Sequence, residues 1–530
     1  MQILPLGTQD FRTIRENNYI YVDKTKYLHE MITSGRIYFL SRPRRFGKSL
    51  LLNTLKELFK GNKQLFEGLH IYDKWDWNVK YPVIHLDLSV DSGSSEKLES
   101  SLIWSLDSIS QDFDIILSAP DLQSRFKELI IKLNKTYNQK VVVLVDEYDI
   151  PIIDNINNLK LAESNREILQ NFYRALKTMD EYIRFIFITG VSKFANVSIF
   201  SALNNPTDIT LDNKFATICG YTQEELEEYF SEYISKLAEE LSLSYDDVLE
   251  KIKYWYDGYS WDGGNSVYNP QSTMTAFNRL NFNNYWFKTG TPRFLIDFMK
   301  LYDIKHILEP VITDESSFDS FDIEDISEIG LLFQTGYLTV KKLQLIDEER
   351  EYTLAIPNNE VKNSTLKHLL NIYTKYPDYD LFRLIKEMKK QLLNLNGIPL
   401  ENNFKKLLAN IPYQLHIQDE HYYHSLLLTW LQLLGFDIKA EDNINKGRID
   451  AVLTEKNTVI IAEFKYSKLK EIKANEWIPV KTPQQLLEKA KNQIHKKEYY
   501  QKYYGKKIIL LQAAFAAKDV KTHLKLLDSY

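Results

Sequence analysis

A chain of 530 residues exceeds what one hydrophobic core organises, so two or three domains are expected. With 44% hydrophobic and 26% charged residues it has ample apolar material to bury, which excludes disorder over most of its length. A formal charge of -6 excludes a chain basic throughout, and a single cysteine, Cys219, excludes an internal disulfide and a multi-cysteine zinc site. Cys219 reads as a small core residue. The opening run MQILPLGTQDFRTIREN lacks the continuous apolar stretch of a secretory signal, and nothing later approaches the length of a membrane span. The expected setting is the cytoplasm, with no membrane partner.

Over the first 220 residues, short apolar runs alternate with longer helical patterns, the form of a parallel sheet with helices on both faces. Strands are expected near Ile37 to Ser41, Val83 to Leu88, Val141 to Val145, Phe185 to Thr189 and Ala216 to Cys219. Each is nearly all apolar, as a strand buried on both faces should be.

Between the first strand and the helix that follows lies RPRRFGKS, Arg42 to Ser49. A helix N-terminus presents unpaired N–H groups and the positive end of its dipole, which suits phosphate oxygens. Gly47 permits close backbone approach, Lys48 can reach the β and γ phosphates of a nucleotide, and the Ser49 hydroxyl can ligate magnesium. The first glycine of the usual phosphate-loop pattern is here Arg42. The third strand ends in VVVLVDEYD, and two adjacent carboxylates at the tip of a buried strand need compensation. Asp146 is expected to hold Mg2+ and Glu147 to polarise the attacking water. The next strand ends in Thr189 and Ser192, where a hydroxyl could meet the γ phosphate or only cap a turn.

From 221 to 410 the pattern is mainly helical, broken by the aromatic, glycine-rich YWYDGYSWDGGNSVYNP. From 411 to 530 a small α/β unit follows: a helix beginning near Asp419, two adjoining strands, a helix opened by Thr482-Pro483, and the strand IILLQAAF. From His421 onward 19 Lys and Arg stand against 12 Asp and Glu, a local basic balance suited either to phosphates or to solubility.

The stretch GRIDAVLTEKNTVIIAEFKY carries three ionisable residues among apolar neighbours. A hairpin turning at Lys456-Asn457 sets Glu455 opposite Thr458, and stepping back sets Asp450 opposite Glu463. Side-chain alternation brings Lys465 to the same face. Two carboxylates can bind magnesium, which acidifies a bound water, while the lysine orients that water or stabilises charge on a scissile phosphate. A competing zinc site from His421 and His424 lacks a third ligand.

Together these motifs, with FITGVSKF (Phe187 to Phe194), YDGY (Tyr256 to Tyr259) and TGTP (Thr289 to Pro292), resemble the AAA-ATPase-like proteins that end in a PD-(D/E)XK nuclease-type domain. The resemblance covers essentially the whole chain, and an arginine-rich loop without the first glycine is typical of that family. It implies ATP and Mg2+ as cofactors, with Arg42, Arg45, Phe46, Gly47, Lys48, Ser49, Leu50 and Ser192 at the nucleotide. In the C-terminal domain it implies Glu420 beside Asp450 and Glu463 as metal-supporting acids, and Gln493 with Lys465 as catalytic groups. Two functions follow: an ATP-dependent or ATP-regulated nuclease acting on DNA or RNA, or a nucleotide-controlled assembly switch whose C-terminal domain binds without cutting. A homo-oligomer is compatible with either.

Overall fold

The computed structural model describes residues 1–193, 206–286, 310–318, 327–374, 378–409 and most of 427–527. The chain divides into two compact units, Met1–Lys362 and Asn363–Tyr530.

The first unit is built on a five-stranded parallel sheet: β1 (Ile37–Ser41), β2 (Val83–Asp87), β3 (Val141–Asp146), β4 (Ile183–Gly190) and β5 (Thr207–Asp208). Their spatial order is β2-β3-β4-β1-β5. β3 is buried at every residue, which its run of three valines, leucine and valine can sustain without exposing a polar side chain before Asp146. The helices are α1 (Phe11–Glu16), α2 (Thr25–Ser34), α3 (Lys48–Phe59), α4 (Ser95–Gln111), α5 (Leu122–Tyr137), α6 (Ile150–Ile153) and α7 (Leu159–Thr178). α3, backed by α1, covers one face of the sheet, and α4, α5 and α7 pack on one another over the other. Phe126 of α5 stacks on Phe172 of α7 at 4.5 Å. α4, α5 and α7 each start at a side chain that accepts an N–H of the first turn, from Ser94, Asp121 and Asn158 respectively.

The apolar run Ala216 to Cys219 is not a strand. The fifth strand is Thr207–Asp208, and the run lies in turns with Ala216, Ile218 and Cys219 buried. A buried cation meets it there, Lys24 Nζ donating to Thr217 O at 2.8 Å, and Arg42 Nη2 donates to Phe215 O, just before the run, at 3.2 Å. An apolar segment whose carbonyls are met by side chains needs no strand neighbour.

The middle of the chain is mainly helical. α8 (Gln223–Leu241), α9 (Tyr245–Tyr256) and α10 (Pro270–Arg279) share one core, into which Leu4, Ile20 and Val22 of the N-terminal segment insert. α8 opens with a reciprocal cap between Thr222 and Glu225. Glu225 also pairs with buried Lys24 at 2.6 Å, tying the N-terminal segment to α8. Strands β6 (Val311–Thr313), β7 (Thr339–Ile346) and β8 (Glu349–Ala355) form a small antiparallel sheet, with the short helix α11 (Glu328–Gln334) between β6 and β7. α12 (Asn359–Thr374) follows.

In the second unit, α13 (Asp378–Leu393) and α14 (Gly397–Ala409) precede strands β9 (Asp437–Ala440), β10 (Asn443–Ile444), β11 (Gly447–Arg448), β12 (Ala451–Glu455) and β13 (Thr458–Tyr466). β14 (Leu469–Lys473) and β15 (Glu476–Pro479) form a ribbon, and α15 (Pro483–Lys497) crosses to β16 (Lys507–Ala516) and β17 (Asp519–Leu527). The sheet order is β17-β16-β13-β12-β9, with only the β13–β16 pair parallel. Ile494 of α15 packs on Val459, Ile461, Ile508 and Leu510 on one face. The other face is aromatic: Phe515 meets Phe404, Phe464 and Tyr466.

Candidate functional site

β4 is inserted between β1 and β3, so the loop after β1 and the acidic end of β3 flank the tip of β4. The loop from Arg42 joins β1 to α3, and Gly47, at φ 95°, takes the left-handed turn just before the helix begins at Lys48. A side chain there would be strained whatever the space around it. Arg45 also has positive φ, 71°, and its side chain is exposed.

Lys48 folds back along its own loop, donating to Arg42 O at 2.8 Å and Pro43 O at 3.1 Å. Burial pushes its ammonium pKa down, while the carboxylates of Asp146, Glu147 and Asp149 pull it up. Asp146 accepts from Thr189 Oγ1 at 2.6 Å. Glu147 sits at φ 50° just beyond the strand. The Ser89 hydroxyl lies 2.5 Å from both Glu147 Oε2 and Asp87 Oδ1, and its single proton can satisfy only one of the two carboxylates at a time. A cleft of about 410 Å³ gathers Arg44, Lys48, Ser49, Asp87, Asp146 and Glu147. Cationic and anionic groups thus face each other across one space, as a polyphosphate with a divalent cation requires.

A second cavity of about 370 Å³ shares Gln9, Arg45, Gly47 and Leu50 with the first and continues to Ile20, Val22, Ile218, Tyr221 and Met274. Its walls mix apolar side chains with Thr8, Gln9, Lys24 and Gln271, a lining that suits a flat heterocycle with polar edges.

Of the expected nucleotide contacts, Phe46 lines the second cavity, while Arg42 and Ser192 line neither. Arg42 is fully buried: its guanidinium donates to the carbonyls of Ser41, Thr210 and Phe215 and lies over the Trp261 ring at 3.9 Å. Burial lowers its pKa to about 10, against the pull of Cys219, Asp208 and Asp262. The Phe46 ring packs edge-on against Tyr259 and Trp261. Trp286 Nε1 donates to Arg44 O at 3.0 Å, and Gly336 lies so close to Pro43 that a methyl group would come within 2.8 Å of its ring. The loop from Arg42 to Gly47 is therefore gripped from behind by aromatic residues of the middle region. This explains Arg42: a long cation fixing the loop to carbonyls takes the place of a flexible glycine.

Ser192 is buried and does not line the cleft; its backbone N–H donates to Asp149 Oδ2 at 2.6 Å and its carbonyl accepts from Tyr148 Oη. Asp149 also accepts from Val191 N. Complete burial raises the Asp149 pKa to about 6, opposed first by the Ser192 N–H and then by Lys48. Asp87, Ser89 and Asp149 received no role from the sequence; only the position of Asp149, three residues after Asp146, hinted at one.

In the second unit the hairpin register is the one expected. Glu455 pairs with Thr458 and Ala451 with Ala462, so Asp450 stands one step further, at Glu463. Asp450 Oδ2 accepts from Phe464 N at 2.7 Å. Glu463 is fully buried, and Lys465 Nζ lies 2.6 Å from its Oε1. Gln493 is on α15, next to Ile494, over the same sheet face. Glu420, with His421 and His424, lies outside the described residues, as do Phe194 and Thr289 to Pro292. Among the described residues no three His, Cys, Asp or Glu side chains converge on one point. The donor chemistry at Asp450 and Glu463 nevertheless fits Mg2+, which is held by one or two carboxylates and completes its shell with water and substrate oxygens.

The model of the family described as predicted AAA-ATPase matches residues 5–200, and that of the PD-(D/E)XK nuclease superfamily matches residues 418–523. The chain belongs to the AAA-ATPase-like family with a C-terminal PD-(D/E)XK domain. A relative from Azotobacter chroococcum mcd 1, "Uncharacterized protein in vnfD 5'region", is 38% identical over 476 residues, 88% of this chain and 90% of the relative. Among solved structures, a chain from "Structure of Drosophila ORC bound to poly(dA/dT) DNA and Cdc6 (conformation 1)" aligns at 11% identity with a TM-score of 0.25. That alignment spans 81% of this chain and 61% of the other, too loose a likeness to carry an argument. This AAA-ATPase-like protein thus joins a nucleotide-binding domain to a nuclease-like one, and among its described residues no helix is long and apolar enough to cross a membrane.

Proposed function

We propose that the protein binds and hydrolyses ATP with Mg2+ and that this activity drives or licenses a metal-dependent phosphodiesterase centre acting on nucleic acid. The observation that carries the reading is the overlap of two cavities: a charged cleft at Lys48, Ser49, Asp146 and Glu147 opens beside a chamber lined by Ile20, Val22, Phe46, Tyr221 and Met274, with Arg45, Gly47 and Leu50 common to both. Phosphates belong in the first and the base in the second. The domains read as 1–220 for ATP, 221–410 for coupling and 411–530 for nucleic acid, in a cytoplasmic protein able to form homo-oligomers.

In this reading Lys48 exchanges its bonds to the Arg42 and Pro43 carbonyls for β and γ phosphate oxygens. The α3 N-terminus adds its N–H groups. Ser49 and Asp146 hold Mg2+, Glu147 takes the proton of the attacking water, and Arg42 and Phe46 act by fixing the loop. Mg2+ when bound supplies charge neutralisation at the phosphates. In the second centre Asp450 and Glu463 hold Mg2+, with Glu420 in support, while Lys465 and Gln493 orient the water and the scissile phosphate.

The Lys465–Glu463 ion pair at 2.6 Å favours a second reading as well, a C-terminal domain that binds nucleic acid without cutting while nucleotide controls assembly. Calorimetric titration with magnesium and ATP tests the first site: Lys48→Ala should lose most affinity, and binding within about twofold of wild type, well short of the 1.4 kcal/mol of a tenfold change, would remove the phosphate-loop assignment. Metal-dependent cleavage of generic DNA and RNA, lost in Asp450→Ala, separates the two readings of the second.

A further inference from the structure

The carboxylate pair of the second centre belongs to a longer row. Asp450 stands at Glu463, Glu463 pairs with Gln512 of β16, and Gln512 with His523 of β17. Cross-strand partners share a face, so the row runs across four strands on the face that α15 covers.

Gln512 is the anomaly in it. On this face β16 otherwise presents Ile508, Leu510 and Ala514, all buried. The Gln512 side chain is 1% exposed, and among the described residues its Oε1 has no hydrogen-bond partner. A buried amide oxygen without a donor is unfavourable, a penalty that leucine at this position would not incur. A group that satisfies that oxygen must enter the row beside Glu463.

We propose that Gln512 is a third oxygen donor to the divalent cation held by Asp450 and Glu463. This rests on the nuclease-like reading of that centre. A hard cation takes oxygen ligands, carboxylate and carbonyl alike, so an amide oxygen beside two carboxylates can extend their site. The neighbouring register position supplies it, and the buried row holds it ready before the cation arrives.

The test is isothermal titration of the full-length, nucleotide-free chain with Mn2+, following the heat that Asp450→Ala removes. Gln512→Leu should weaken that binding by about 10- to 100-fold. Gln512→Glu, which keeps the oxygen, should bind at least as tightly as wild type. Gln512→Met serves as a second apolar replacement, and a cooperative melting transition confirms the fold of each variant. Wild-type affinity in the Leu and Met variants, with binding still lost in Asp450→Ala, would overturn the proposal while leaving the carboxylate site standing. Loss in Gln512→Glu equal to that in Gln512→Leu would also overturn it, since the amide would then act as a donor toward Glu463. Absence of any Mn2+ heat that depends on Asp450 would remove the metal centre itself, and the proposal with it.

Discussion

Asp149 and Ser192 are joined by a 2.6 Å hydrogen bond from a backbone N–H to a fully buried carboxylate, which also accepts the N–H of Val191. With Thr189 bonded to Asp146 and Tyr148 to the Ser192 carbonyl, three residues at and just beyond the end of β3 stitch down the tip of β4. Asp149→Ala leaves two buried N–H groups without an acceptor, each worth about 1–3 kcal/mol. The expected outcome is a lower urea midpoint and a smaller kcat for ATP with its affinity kept. Asp149→Asn, which retains one acceptor oxygen, should fall between. Unchanged stability and turnover in the alanine variant would mean that Asp149 does not position the β4 tip.

Ser89 divides one proton between Asp87 and Glu147. If Glu147 activates the lytic water, Ser89 restrains it until that water is in place. Glu147→Gln should bind ATP yet release phosphate on the order of a hundredfold more slowly. Ser89→Ala should leave ATP binding intact and change the rate of hydrolysis, because Glu147 loses the hydroxyl that restrains it. Steady-state phosphate release is the measurement. A Glu147→Gln enzyme with wild-type turnover would reduce the acidic pair to a strand terminus.

What could be read without the structure was local or periodic. A strand, a turn and a helix around Gly47, and the hairpin register that brings Asp450 to Glu463, depend only on residues within one supersecondary unit. The fate of Arg42 does not: its carbonyl partners Thr210 and Phe215 and its ring partner Trp261 lie about 170 to 220 residues away. Ala216 to Cys219 has a strand's composition because it is buried, and no local pattern shows that Lys24 meets its Thr217 carbonyl or that Arg42 meets the Phe215 carbonyl just before it. Gln512 sits within an apolar strand, and only the pairing of β13 with β16 gives it a meaning.

A buried carboxylate bonded to Trp286 provides a pH signature. Glu360 accepts the backbone N–H groups of Tyr285 and Trp286. Burial raises its pKa from 4.5 to about 7, although Ser272 and those N–H groups favour the charged form. The folded state therefore binds the proton more tightly than the unfolded chain, so this contribution to stability is fully present below about pH 4.5 and is lost as pH rises through about 7. Glu360→Gln removes the titration and keeps an acceptor oxygen. Relative to that variant, wild type should lose stability on the order of 3 kcal/mol between these limits. Melting temperatures that run parallel across the window would show that Glu360 stays ionised. Because Trp286 also holds the Arg44 carbonyl, ATP affinity should follow the same window more weakly.

The two centres lie in separate compact units, and each has its own carboxylates. Neither needs the other's residues to assemble. Asp450→Ala, Glu463→Ala or Lys465→Ala should abolish phosphodiester cleavage and leave basal ATP hydrolysis near wild type. The reverse is asymmetric. The phosphate loop is braced by Trp261, Trp286 and Gly336 of the middle region, so a nucleotide that alters the loop has a rigid path into that region. Lys48→Ala should therefore lower cleavage although every nuclease residue is present, provided nucleotide favours one arrangement of that path over another, since a ligand with equal affinity for both shifts nothing. Trp286→Phe keeps the ring and removes the bond to Arg44 O; it should preserve ATP binding and weaken the dependence of cleavage on ATP. Both activities are measured on all five variants, each with its melting transition recorded. Cleavage persisting in the Asp450 and Glu463 variants would remove the nuclease assignment. Cleavage indifferent to Lys48→Ala, Trp286→Phe and ATP would leave two independent enzymes on one chain.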